Sequence, residues 1–276
     1  MMLKKTILGA IAFASLALLG GGAVQAADEY AHTDQQNWSF AGVFGTYDQN
    51  QLQRGFQVYR EVCSSCHGLD FISFRNLQEA GGPHFSETQV RALAAEYTIA
   101  DETADGGTRD GVPADGWPAP FPSEQIARDS NGGAFPPDLS LITKARGVHM
   151  DFPWWVFNYF TGYQEGGADY VYNLLTSYED APDGVEVAPG QYYNAYFPGH
   201  MIAMGAPLSD GIVSYADEAT PETLEQYALD VSAFLQWTGD PHMMDRKATG
   251  FRVIIFLVVF AILMYMVKRR IWRDAH

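Results

Sequence analysis

The chain has 276 residues, 47% hydrophobic and 18% charged, with 17 Lys and Arg against 33 Asp and Glu and a formal charge of −16. That composition excludes a disordered acidic tail and a polytopic membrane protein, and the acidic balance argues against nucleic acid, whose phosphate backbone needs Lys and Arg. Two cysteines are too few for a disulfide framework or a cysteine-rich zinc site, so their chemistry must be local.

At the start, Lys4 and Lys5 precede an apolar run over residues 7–24 that ends in Val24-Gln25-Ala26-Ala27. Charged, apolar and small-residue regions in that order predict a signal peptide over 1–26, cleaved after Ala26, and an extracytoplasmic domain over 27–245. The competing reading is an uncleaved anchor. Between Ala27 and Asp245 the chain holds 8 basic and 32 acidic residues, a net charge of −24, enough to steer a cationic partner.

Leu52, Phe56, Tyr59 and Cys63 recur at helical spacing and predict a helix that ends in Cys63-Ser64-Ser65-Cys66-His67. C-x-x-C-H in an exported chain is the attachment pattern of c-type haem: two thiols add across the two vinyl groups, and the adjacent imidazole meets the iron. A thioredoxin-like dithiol would want a strand before the motif and has no use for His67. The motif occurs once, so one covalently bound haem c is expected, with His67 as an iron ligand.

Residues 101–137 hold six Gly and six Pro and read as irregular chain, with Trp117, Phe121 and Phe135 anchoring it on the haem domain. An aromatic stretch follows at 152–160, suited to covering a haem edge or docking another subunit. The loop His200-Met201-Ile202-Ala203-Met204-Gly205-Ala206-Pro207 offers a sixth iron ligand, and composition leaves His200, Met201 and Met204 all open. Residues 222–237 predict a further helix with Leu224, Tyr227, Val231, Phe234 and Leu235 on one face, ended by Asp240-Pro241. A transmembrane anchor is predicted over 246–267, where the twenty mostly apolar residues from Ala248 to Val267 at 1.5 Å each span roughly 30 Å. Lys268, Arg269, Arg270 and Arg273 follow, so the tail 268–276 is expected in the cytoplasm and the body outside.

The run Arg54-Gly55-Phe56-Gln57-Val58-Tyr59-Arg60-Glu61-Val62-Cys63-Ser64-Ser65-Cys66-His67, the segment Gly133-Ala134-Phe135-Pro136-Pro137-Asp138-Leu139-Ser140, the Met204 loop and the single C-terminal anchor together resemble the cytochrome c1 family, in its alphaproteobacterial form. The resemblance covers nearly the whole mature chain in order. It implies a mainly α fold: a c-type cytochrome haem domain with long ordered loops and one C-terminal transmembrane helix. It also implies Met204, in Met-x-x-Pro with Pro207, as the axial thioether, and Met201 as a packing residue. A carbonyl of Pro137 or its neighbour would orient His67, and Arg146 and Tyr170 would reach a haem propionate; the aromatic stretch between those two departs from the family pattern.

By the same resemblance the chain is the electron-carrying subunit of the quinol:cytochrome c reductase, the bc1 complex, a dimeric assembly in the cell inner membrane with its haem domain in the periplasm. One electron would pass from the Rieske iron–sulfur protein through the haem to a c-type cytochrome. Quinol chemistry would reside on cytochrome b and the Rieske protein, so enzyme status belongs to the complex. Two other classes compete: a stand-alone tethered cytochrome serving an oxidase, and a haem catalyst or gas sensor with an open distal site.

Overall fold

The computed structural model describes residues 35–147, 157 and 166–273. The predicted signal peptide lies outside the described residues, as does the aromatic stretch 152–160 apart from Phe157.

Helix α1, Gln49–Val58, starts at Asp48, whose Oδ1 accepts from the Gln51 amide at 2.8 Å, a side-chain N-cap. Leu52, Phe56 and Tyr59 are buried, as their spacing predicts. The chain then widens into one π-helical turn, Tyr59–Cys63, which periodicity does not foretell and which delivers the first cysteine. A 3₁₀ turn, Phe74–Gln78, leads to α2, Glu87–Ala95, opened by a Ser86/Gln89 capping box.

The 101–137 stretch is less irregular than its Gly and Pro content predicts. Strand β1, Thr98–Ala100, pairs antiparallel with β2, Thr108–Asp110, and α3, Glu124–Ser130, follows Ser123 as its cap. Elements this short complete too few periods to show in a pattern; local polar bonds define them instead. Arg109 bridges Asp101 at 2.9 Å and Asp115 at 2.6 and 2.8 Å. Of the expected anchors, Trp117 is buried, but Phe135 is 47% exposed, because the Arg128 guanidinium covers its ring at 5.7 Å instead of the core doing so.

Helix α4, Ile142–Ala145, and α5, Gly166–Thr176, come next, then a two-residue ladder of β3, Tyr192–Tyr193, with β4, Met201–Ile202. Helix α6, Leu224–Gly239, is the hub: α1, α4 and α5 all pack on it. Its burial therefore runs round the helix from Tyr227 to Thr238, where the sequence predicts one apolar face. The α1–α6 crossing is close, since a Cβ on Gly55 would overlap the Asp230 carbonyl oxygen and lie 2.7 Å from the Phe234 Cβ. Phe56, Tyr59 and Trp117 gather beside it, with Phe56 and Tyr59 5.7 and 5.8 Å from the Phe234 ring.

Helix α7, Met243–Trp272, is 30 residues, roughly 45 Å, and its apolar run is exposed on all sides. Among the described residues it is the one helix long and apolar enough to cross a membrane. The fold is mainly helical with long loops and one C-terminal apolar helix, as predicted.

Candidate functional site

The motif forms a tight turn at the exit of the π-helical segment. The Cys66 and His67 amides both donate to the Cys63 carbonyl oxygen, at 3.1 and 2.9 Å, so the two thiols and the imidazole are presented from one short arc. Both cysteines are free thiols. Burial, with Cys66 alongside, pushes the Cys63 thiol up to about 12, the reverse of the lowered value that makes a redox dithiol reactive. Among the described residues no strand precedes the turn, so a thioredoxin-like pair has neither its fold nor its electrostatics here.

His67 Nδ1 lies 2.7 Å from the Pro137 carbonyl oxygen. With Nδ1–H donating there, Nε2 is the nitrogen left with a lone pair for a metal. Burial pulls the imidazole below its ordinary value, against the opposing pull of the Pro137 carbonyl and Asp138, which favours the neutral ring a metal requires. Pro137 is itself held. Asp138 Oδ2 accepts from the Asp70 amide and Oδ1 from the Ser140 amide, each at 2.8 Å, and the Leu139 amide donates to Gly68 at 3.0 Å. From the other side Tyr59 donates its hydroxyl to the His67 carbonyl oxygen at 2.9 Å.

Met204 belongs to a second group. It sits half-buried on the loop after β4, and Tyr178 donates its hydroxyl to the Met204 carbonyl oxygen at 3.0 Å. Burial, with Tyr170 nearby, raises the Tyr178 phenol. Tyr170 is buried on α5 with its ring 5.7 Å from Tyr196. Of the other candidate ligands, His200 is exposed and stacks on Tyr193 at 5.7 Å, and Met201 is taken up in β4 opposite Tyr193. Arg146 caps α4, exposed, and makes no ion pair among the described residues. It stands three residues after Thr143, against whose backbone Gly167 of α5 packs so tightly that a Cβ there would overlap, and Tyr170 follows Gly167 by three. The Thr143–Gly167 contact thus joins α4 and α5, the two elements that carry Arg146 and Tyr170.

Tyr59 and Tyr178 are the residues that sequence reasoning misses. Tyr59 carried a packing signal through its helical spacing; among 15 tyrosines nothing marked either hydroxyl as a backbone donor at this site.

The donor set fits a c-type haem: two free thiols one turn apart, an adjacent imidazole with Nδ1 engaged, a thioether on a braced loop, and an exposed guanidinium suited to a propionate.

Comparison with known proteins points the same way. Residues 38–275 match the Cytochrome C1 family. The chain is 52% identical to a protein named cytochrome b/c1 from Bradyrhizobium diazoefficiens, an alignment covering 97% of this chain but 40% of that longer protein. It is 46% identical to cytochrome c1 of Blastochloris viridis, covering 86% of each, and 43% identical to the mitochondrial cytochrome b-c1 complex catalytic subunit of Candida albicans, covering 91% of this chain and 81% of the relative.

Proposed function

The chain belongs to the cytochrome C1 family, whose cofactor is a c-type haem, and from that premise we propose that it is the haem-bearing, electron-carrying subunit of a quinol:cytochrome c reductase of the bc1 type. The observation that carries the reading is the C-x-x-C-H turn with His67 Nδ1 fixed on the Pro137 carbonyl, on a domain that ends in a helix of membrane-spanning length.

When bound, the haem supplies a one-electron couple whose potential the axial ligands set. The chain's own residues attach and tune it. Cys63 and Cys66 would fix the macrocycle through their sulfurs, and His67 Nε2 and the Met204 sulfur would hold the metal. The Pro137 carbonyl keeps the imidazole in one tautomer and orientation. Arg146 and Tyr170 would neutralise and hydrogen-bond a propionate.

The electron would come from the Rieske iron–sulfur protein and leave to a c-type cytochrome, with cytochrome b as the membrane partner in a dimeric complex. The basic cluster at the C-terminal end of α7 supports a cytoplasmic tail and a periplasmic domain, divided as 1–26 signal peptide, 27–245 haem domain, 246–267 anchor and 268–276 tail. Purification of the native complex, with haem staining and identification of every chain, tests this reading. A c-type haem on this polypeptide together with cytochrome b and an iron–sulfur protein supports it; recovery of the haem polypeptide alone in mild detergent would favour a stand-alone tethered cytochrome.

A further inference from the structure

One turn of the acidic domain turns apolar side chains outward. Phe44 is 77% exposed and Val43 45%. They are not on a slack loop. Trp38 and Phe40, both buried and stacked at 5.2 Å, fix one limb of the turn, and buried Tyr47 fixes the other. The Ala41 amide donates to the Trp38 carbonyl oxygen at 3.0 Å and the Thr46 amide to that of Ser39 at 3.0 Å, closing the base. Gly42 adopts φ +73, and a Cβ on Gly45 would overlap the carbonyl oxygens of Ala41 and Phe40. The backbone is thus committed to a shape whose consequence is the projection of residues 43 and 44.

The same turn is fastened to the start of α7. Lys247 donates its ammonium to the Phe40 carbonyl oxygen at 2.6 Å, and the Phe44 ring meets that of Phe251 edge to face at 5.4 Å. Phe251 lies between Lys247 and Arg252, at the level where charged residues give way to the uninterrupted apolar run beginning at Val253. That level corresponds to the water–hydrocarbon boundary of a bilayer crossed by α7.

We propose that the Val43–Phe44 turn is a second membrane contact of this protein, inserted into the interfacial layer of the lipid beside α7. The contact is continuous with the exposed apolar surface of the helix through the Phe44–Phe251 pair. Two side chains are far short of the roughly 20–30 residues that each partner contributes to a stable protein interface, whereas a lipid interface demands no matching shape. The exposed Arg252 at the same level is placed to meet lipid phosphate. One helix alone would leave the domain free to swivel about its axis; a second point removes that freedom. Because α1 starts at Gln49, five residues after Phe44, and ends in the π turn carrying Cys63, the contact orients the haem-attachment helix against the membrane plane.

The inference rests on α7 crossing the bilayer, and the experiment separates the two. Phe44→Cys, Leu257→Cys and Val187→Cys are introduced singly into the full-length, haem-loaded chain, where the haem occupies the native thiols. Each is spin-labelled and reconstituted in nanodiscs of mixed phosphatidylcholine and phosphatidylglycerol, and collision with oxygen and with a water-soluble nickel chelate is measured with the haem reduced. The 257 label reports α7, and the 187 label, on an exposed loop of the outer domain, reports water. The expected result is an oxygen-to-nickel accessibility ratio at 44 several-fold above that at 187 and below that at 257. A ratio at 44 equal to that at 187, with 257 reading as lipid, overturns the proposal while leaving the anchor intact. A water-like ratio at 257 overturns the anchor and the proposal together. An immobilised 44 label shielded from both reagents means that protein covers the turn, and also overturns it.

Discussion

The imidazole of His67 donates from Nδ1 to the carbonyl oxygen of Pro137, seventy residues further along the chain, at 2.7 Å. The bond survives only as long as the carbonyl stays put, and Asp138 is what holds it, by accepting from the Asp70 and Ser140 amides. Asp138→Ala releases both amides. The Nδ1–H bond then lengthens, the ring becomes less basic and stabilises oxidised iron less well, and loss of a nearby negative charge acts in the same direction. The expected outcome is a potential raised on the order of 30–60 mV, a three- to tenfold change for a one-electron couple. Faster exchange of the imidazole Nδ1 proton in nuclear magnetic resonance separates the carbonyl effect from the charge effect; unchanged exchange would leave charge as the sole cause.

Asp230 is fully buried at the α1–α6 crossing and accepts four bonds. Arg54 supplies two, at 2.8 and 3.0 Å, and Tyr215 and Gln226 supply one each, both at 3.0 Å. Breaking a buried pair from one side costs about 3–5 kcal/mol. Arg54 keeps 22% of its side chain in contact with water, so Asp230→Ala should fall near the lower end, about 3 kcal/mol by denaturant unfolding. Gly55→Ala, which drives a methyl into the Asp230 backbone, should cost about 1–3 kcal/mol or more through forced separation of the helices. A loss under about 0.5 kcal/mol for either would contradict this packing.

Asp169 is buried on α5, and burial raises its carboxyl above the ordinary range, against the Gln36 amide and Trp38 Nε1–H that donate to Oδ1 at 2.9 and 2.8 Å. A raised native value means that the folded state binds this proton more tightly than the unfolded chain. The contribution is fully present below the unfolded value and is lost as pH rises through the native one. Asp169→Asn removes that dependence and keeps an acceptor for Trp38. Subtracting the variant's unfolding free energy from the wild type's across about pH 3 to 7 should therefore give a difference that falls with rising pH. A difference that rises would assign the opposite sign to the shift.

The acidic surplus of the domain that precedes α7 is not consumed internally. Arg54, Arg60, Arg91, Arg109, Arg128 and Lys144, six of its eight basic residues, are paired with acids within the chain, so among the described residues most of the remaining acids face solvent without a partner of opposite sign. Electron transfer from the reduced protein to a basic soluble cytochrome should slow as ionic strength rises toward about 0.15 M, where the screening length is about 8 Å. Stopped-flow rates that stay flat with salt would remove the field as the steering force.

Much of the site could be read from spacing because its chemistry is covalent and local: Cys63, Cys66 and His67 lie within one turn, and Leu52, Phe56 and Tyr59 show the helix that carries them. Partners distant in sequence were not legible from the residues themselves. A backbone carbonyl such as that of Pro137 looks like any other, and its pairing with His67 is suggested by family resemblance alone. The Tyr178 bond to the Met204 carbonyl gave no signal, since a tyrosine in an aromatic-rich chain is as easily packing. Asp230 went unread as well: an acid among Tyr227, Val231 and Phe234 calls for a buried cation, but that Arg54 supplies it depends on the crossing at Gly55. The hairpin and α3 escaped because caps and the Arg109 bridges, rather than periodic burial, define them.

The central proposal is a covalently attached haem that His67 and Met204 would hold, in a protein that carries electrons. Redox titration of the purified wild type beside Met204→Leu and Met201→Leu tests it most directly. Met204→Leu should keep the haem attached, lower the potential on the order of 0.1 V or more, within the roughly 0.8 V range that axial ligation commands, and open the reduced iron to carbon monoxide. Met201→Leu should leave both properties near wild type. Equal shifts in the two variants, or rapid carbon monoxide binding by the intact wild type, would contradict the assignment.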